Sequence, residues 1–131
     1  MSKRTITLTN RQPVTIDDDA WPLVASASDK TYEGQVECQS FRTSKWFVGV
    51  RQHEEGRAIV YATYSYSTAW PKERAYSAKR GVLLSVSGDT VEAIHEVCSD
   101  IAGAEASGDD AARWPTLAND CIADLPAEEL V

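Results

Sequence analysis

Trp46-Phe47-Val48-Gly49-Val50-Arg51-Gln52-His53-Glu54-Glu55-Gly56-Arg57-Ala58-Ile59-Val60-Tyr61-Ala62-Thr63-Tyr64-Ser65-Tyr66 is the stretch whose reading decides the fold. Trp46, Val48 and Val50 fall on one face of an extended chain, with Phe47 and Arg51 on the other. After His53-Glu54-Glu55-Gly56, a turn, the alternation resumes with Ile59 and Tyr61 opposite Val60, Ala62, Tyr64 and Tyr66. Two period-two runs of β-branched and aromatic residues around a Gly-containing turn predict an antiparallel hairpin.

Upstream, Ile6 and Leu8 alternate with threonines, and Val14-Thr15-Ile16 follows the turn-rich Asn10-Arg11-Gln12-Pro13, which predicts a first hairpin. Asp17-Asp18-Asp19 before Ala20-Trp21-Pro22-Leu23 predicts a short helix from about Asp18 to Ser28, with Pro22 in its first turn. From Asp29 to Thr43 the pattern is weak, with Gly34 and mixed polar residues around Val36 and Phe41, and a strand is expected there. Trp70-Pro71-Lys72-Glu73-Arg74 interrupts the second run, after which Gly81 to Val86 reads as a last strand.

Asp89 then opens a helical signature. It stands at a capping position with Glu92 three residues on, and Val91, Ile94, Val97, Cys98 and Ile101 recur at helical spacing up to Gly103. Ala104 to Asp109 reads as a flexible connection. A final helix is expected within Ala111 to Asp124, its inner side made of Leu117, Cys121, Ile122 and Leu125, followed by a short tail. The expected fold is therefore one α+β domain over residues 1–131, an antiparallel sheet of four or five strands with helices packed on one face.

Charge is divided unevenly along this plan. Residues 89–131 hold eleven acidic side chains against Arg113 alone, a net of −10, whereas residues 1–88 hold twelve basic and nine acidic groups. Such a division says which partners a surface attracts. The N-terminal residues lack the apolar run of a signal peptide, and no segment approaches the length of a membrane span, so the expected setting is the cytoplasm with no membrane partner. Cys38, Cys98 and Cys121 are far apart and odd in number, which suits buried or idle thiols better than disulfides.

Motifs for chemistry are absent from the sequence. His53 and His95 lie far apart, no cysteine pair has zinc spacing, and Asp17-Asp18-Asp19 lacks the glycine and terminal Glu of a calcium loop, so no metal is implied. The glycines match neither a P-loop nor a dinucleotide fingerprint, and no cofactor is implied. Cys98 beside His95 is a same-face helical pair in an apolar stripe, with no nucleophile elbow elsewhere; the expectation is a protein that is not an enzyme.

Two binding readings remain, each beside a plainer one: a sheet whose aromatics pack under helices while Arg and Lys keep it soluble, and acidic helix faces that are simply solvated. Basic residues between Arg42 and Arg80 interleave with aromatics, and a basic aromatic sheet can stack bases; Trp46, Arg51 and Tyr64 would be its contacts with single-stranded nucleic acid. The other reading takes the acidic helices as an imitation of a phosphate array, presented to a basic protein. Glu92, Glu96 and Asp100, four residues apart, form its expected partner-binding row, with Asp109 and Asp110 as secondary contacts.

Ile6-Thr7-Leu8-Thr9, Pro13-Val14-Thr15-Ile16, Val50-Arg51-Gln52-His53 with Gly56-Arg57-Ala58-Ile59-Val60-Tyr61, and Cys121-Ile122-Ala123-Asp124-Leu125-Pro126-Ala127-Glu128-Glu129-Leu130 resemble a group of small accessory proteins carried by phages, plasmids and integrated elements of proteobacteria. The resemblance implies no catalytic motif. It implies an inhibitor of host defence, anti-CRISPR or anti-restriction in kind, whose partner is a basic nucleic-acid-binding protein of the host. Direct binding of nucleic acid is then the less favoured alternative.

Overall fold

The computed structural model describes residues 2–9, 11–35, 40–68, 75–104 and 111–127. Strands β1 (Lys3–Ile6) and β2 (Val14–Asp17) pair as a two-stranded antiparallel sheet. Strands β3 (Leu23–Gln35), β4 (Ser40–Gln52), β5 (Ala58–Thr68) and β6 (Tyr76–Leu84) form a four-stranded antiparallel meander in chain order. Helices α1 (Thr90–Ala104) and α2 (Trp114–Asp124) follow. The fold is α+β, with both helices on the same face of the larger sheet.

The central hairpin β4–β5 has the anticipated facing. Trp46 pairs with Tyr64, Val48 with Ala62 and Val50 with Val60, and all six are buried under the helices. Gly56, with φ at +99°, closes the turn by donating its N–H to the His53 carbonyl, a left-handed conformation that glycine adopts without penalty. On the opposite face Ile59 and Tyr61 pack with Ile6, Leu8 and Ile16, so the β1–β2 hairpin covers part of that side. Its approach is close. A side chain at Gly81 would bring its Cβ within 2.6 Å of the Thr7 carbonyl oxygen.

The helix expected over Asp18–Ser28 is absent. Asp17 instead closes a single turn, its Oδ1 accepting from the Asp19 N–H at 2.9 Å and its carbonyl from Ala20 and Trp21. The chain enters β3 directly after Pro22. Ala favours helix and Ser has little preference for strand, so pairing with β4 overrides the local preference. β3 also takes in much of the weakly patterned segment from Asp29 on, and β6 begins at Tyr76, five residues before the expected start.

In α1 the Asp89 carboxylate accepts from the Glu92 N–H at 3.1 Å, the expected cap. The buried face is Ala93, Ile94, Val97, Cys98 and Ile101, while Val91 is exposed and Gly103 lies within the helix rather than ending it. α2 buries Trp114, Leu117, Ala118 and Cys121. It packs against β3, β4 and α1, whereas α1 lies over β5 and β6.

Both outer edges of the larger sheet are engaged. Asp124 accepts from the Ser26 N–H of β3 at 2.9 Å, and Thr9 exchanges hydrogen bonds with the backbone of Gly81 in β6. Occupying edge groups in this way blocks pairing with another chain at those points.

Cys98 and Cys121 are free and buried between helices and sheet; Cys38 lies outside the described residues. Burial pushes the Cys98 thiol up to about 12, helped by Cys121, and the Cys121 thiol up to about 11, helped by Asp124. A folded value above the ordinary 9.0 means that the unfolded chain loses these protons first as pH rises. Stability supplied by the neutral thiols is thus full below about pH 9 and is lost between about pH 9 and 12. In a Cys38→Ser background neither thiol is expected to react with an alkylating reagent at neutral pH until the protein is denatured, as mass spectrometry of the labelled protein would record. Rapid native labelling would contradict this burial.

Candidate protein-interaction face

Glu92, Glu96 and Asp100 all project from the outer face of α1 and are exposed, as the sequence spacing implied. A rise of about 1.5 Å per residue sets successive members about 6 Å apart along the axis. Asp120 of α2 is exposed as well. Neither helix contains a Lys or Arg.

The one basic residue of this region is turned to another task. Arg113, just before α2, hydrogen-bonds through Nη1 to the Asp29 carboxylate of β3, and its guanidinium lies 4.8 Å from the centre of the Trp46 ring. It fastens α2 to the sheet and leaves the α1 row without a neutralising partner on its own helix. The row also has a local cost, since like charges at i,i+4 destabilise a helix by about 0.2–0.5 kcal/mol per pair. Only Glu92, in the first turn, gains from the helix dipole. Asp109 and Asp110 lie outside the described residues.

The alternative contacts are not presented as a stacking platform. Trp46 and Tyr64 are 1% and 2% exposed, with ring centres 5.5 Å apart beneath the helices. Arg51 is buried on the opposite face, donating from Nε to the Tyr61 hydroxyl at 3.1 Å and from Nη1 to the Trp21 carbonyl at 3.1 Å. Its Nη1 also lies 3.2 Å from Asp18, whose same oxygen accepts from Arg4. Neighbouring residues of a strand point to opposite faces, so the three could not meet one ligand. They serve the fold.

Among the described residues no cluster of three or more His, Cys, Asp or Glu side chains is placed to hold a metal ion. Of the aspartate triplet, Asp17 shapes the turn and Asp18 joins Arg4 to Arg51. Between α1 and α2 an apolar depression of about 370 Å³ is bordered by His95, Cys98 and Trp114. Among the described residues no helix is long and apolar enough to cross a membrane.

No family model, curated protein or solved structure matches this chain. Its physical features must therefore carry the functional reading. Sequence reasoning missed one such feature, the outward lysine Lys30, because the strand that bears it was read as helix up to Ser28 and beyond that as a weakly patterned strand without a register.

Proposed function

We propose that the protein is a non-enzymatic inhibitor of a host nucleic-acid-binding defence complex, of the anti-CRISPR or anti-restriction kind. It acts by presenting the carboxylates of α1 to a basic groove on that complex. One observation carries the reading: Glu92, Glu96 and Asp100 stand as a regular exposed row on a rigid helix, and Arg113, the only Lys or Arg from residue 89 to the end of the sequence, is paired with Asp29 of β3. A surface that served only solubility could mix signs and avoid the i,i+4 repulsion. A row of fixed charges backed by a packed sheet needs no rearrangement to meet lysines and arginines arranged for phosphates.

The test is capture from a host bacterial lysate, with bound proteins identified by mass spectrometry. The expected result is a helicase, nuclease or CRISPR surveillance subunit that is lost with the triple variant Glu92→Lys, Glu96→Lys, Asp100→Lys while the circular dichroism spectrum is unchanged. Each exposed charge reversal is expected to weaken binding by roughly tenfold, with strong salt dependence. Undiminished capture by the triple variant would remove the helix row from the binding site.

A further inference from the structure

The β1–β2 hairpin covers only part of the sheet face opposite the helices. What it leaves open has a definite chemical pattern, set by the strand register. One cross-strand row runs Lys30, Lys45, Ser65, Ser77, and the next runs Ser28, Phe47, Thr63, Lys79. Alternation along each strand puts all of these on the side of Phe47, away from the buried Trp46. Lys30, Lys45 and Lys79 are exposed, Phe47 is half-buried, and none of the eight positions is acidic.

Concavity and charge coincide here. Ser28, Lys30, Lys45, Phe47, Thr63 and Ser65 line a shallow depression of about 750 Å³. A narrower one of about 150 Å³ shares Thr63 with it and continues to Lys79 and to Arg4 and Thr5 of β1. Asp29, at the margin of the first, is held by Arg113. Lys30 and Lys45 are direct cross-strand partners, an arrangement of like charges that weakens a sheet.

We infer that this face binds single-stranded nucleic acid. The Lys45 and Lys79 ammoniums meet backbone phosphates, the hydroxyls of Ser65 and Thr63 donate to phosphate oxygens, and the accessible part of the Phe47 ring receives a base. Lys45 and Lys79 lie two strands and one row apart, about 12 Å at ordinary sheet spacings, so one strand of nucleic acid crossing the sheet passes both. The acidic α1 row is on the other side of the molecule, so the molecule's own field turns a polyanion toward the sheet. Nothing here reads base edges, and the binding is tolerant of sequence. The inference does not rest on the reading of the helices, since either face can fail its test while the other passes.

The experiment is fluorescence anisotropy of a labelled oligothymidylate of about 20 nucleotides with the full chain, at low and moderate salt. Saturable binding with a Kd of about 10–100 μM near 50 mM salt is expected, weakening about tenfold near 200 mM if two to three phosphates are neutralised. The double variant Lys45→Gln, Lys79→Gln, which changes only exposed side chains, is expected to weaken binding by tenfold or more, whereas Glu92→Lys with Glu96→Lys leaves it intact or tightens it. Absence of binding at about 100 μM protein in low salt would overturn the inference. Binding indifferent to the two Gln substitutions, in a protein with an unchanged melting curve, would overturn it equally.

Discussion

Replacement of Trp46 by Ala is expected to destabilise the protein by about 4 kcal/mol, which is a large part of the total for a domain whose stability is about 5–15 kcal/mol. Trp46, with Trp114 the largest fully buried side chain among the described residues, sits in the middle of β4, with the Tyr64 ring at 5.5 Å and the Arg113 guanidinium at 4.8 Å. Truncation removes the apolar contacts, opens a cavity between sheet and helices, and takes the ring from beneath the cation that fastens α2. In thermal unfolding the midpoint should fall by about 15 °C. Trp46→Phe, which keeps most of the volume, should lose less than half as much. The measurement also separates this residue from a ligand-binding role. A Trp46→Ala protein with an unchanged melting curve and lost affinity for single-stranded oligonucleotide would mean that the ring is available for stacking after all.

The contrast between Trp46 and its neighbour Phe47 shows how far the sequence could be read. Alternation in β4 and β5 assigned both residues to the right faces, since burial on two sides of a sheet imposes a period of two. What alternation does not reveal is which face the helices cover. Trp46 and Tyr64 are ordinary core aromatics for that reason, whereas Phe47, packed against Tyr61 on the other face, keeps part of its ring accessible where the β1–β2 hairpin only partly reaches. The acidic row was legible because Asp89, Ile94, Val97 and Ile101 fix the rotation of α1 and leave Glu92, Glu96 and Asp100 outside. β3 was illegible over Asp18–Ser28 for a physical reason: acids and small residues suit a helix start, and only pairing with β4, remote in sequence, makes them a strand. A strand was expected beyond Asp29, but without the first part of β3 its register was unknown, and the Lys30–Lys45 pair exists only once the register is known.

Arg51 carries the second large expected effect, again on stability. Buried in β4 at 7% exposure, it reaches three separate parts of the fold: the Tyr61 hydroxyl on β5, the Trp21 carbonyl before β3, and the Asp18 carboxylate after β2. It is thus a polar tie between the small hairpin and the main sheet, beside the Thr9–Gly81 hydrogen bonds. Arg51→Met keeps the aliphatic stem but leaves the tyrosine hydroxyl and the Trp21 carbonyl without this donor, while Asp18 retains Arg4. Hydrogen bonds from a charged donor contribute about 1.5–3 kcal/mol each, and Asp18 is partly solvated, so a net loss of about 3 kcal/mol is expected. Arg51→Lys keeps the charge but lacks the planar fork, and one ammonium cannot satisfy three partners in those directions; about half the loss should remain. Asp18→Asn should cost less than either, because Arg51 keeps its other two acceptors. Chemical denaturation of the three variants would rank them, and hydrogen exchange should locate the loosening of Arg51→Met in β1 and β2 before the β4–β5 hairpin. If Arg51→Met melted with the wild type, the tie would be incidental, and the small hairpin would be held by Ile6, Leu8 and Ile16 together with the Thr9–Gly81 hydrogen bonds.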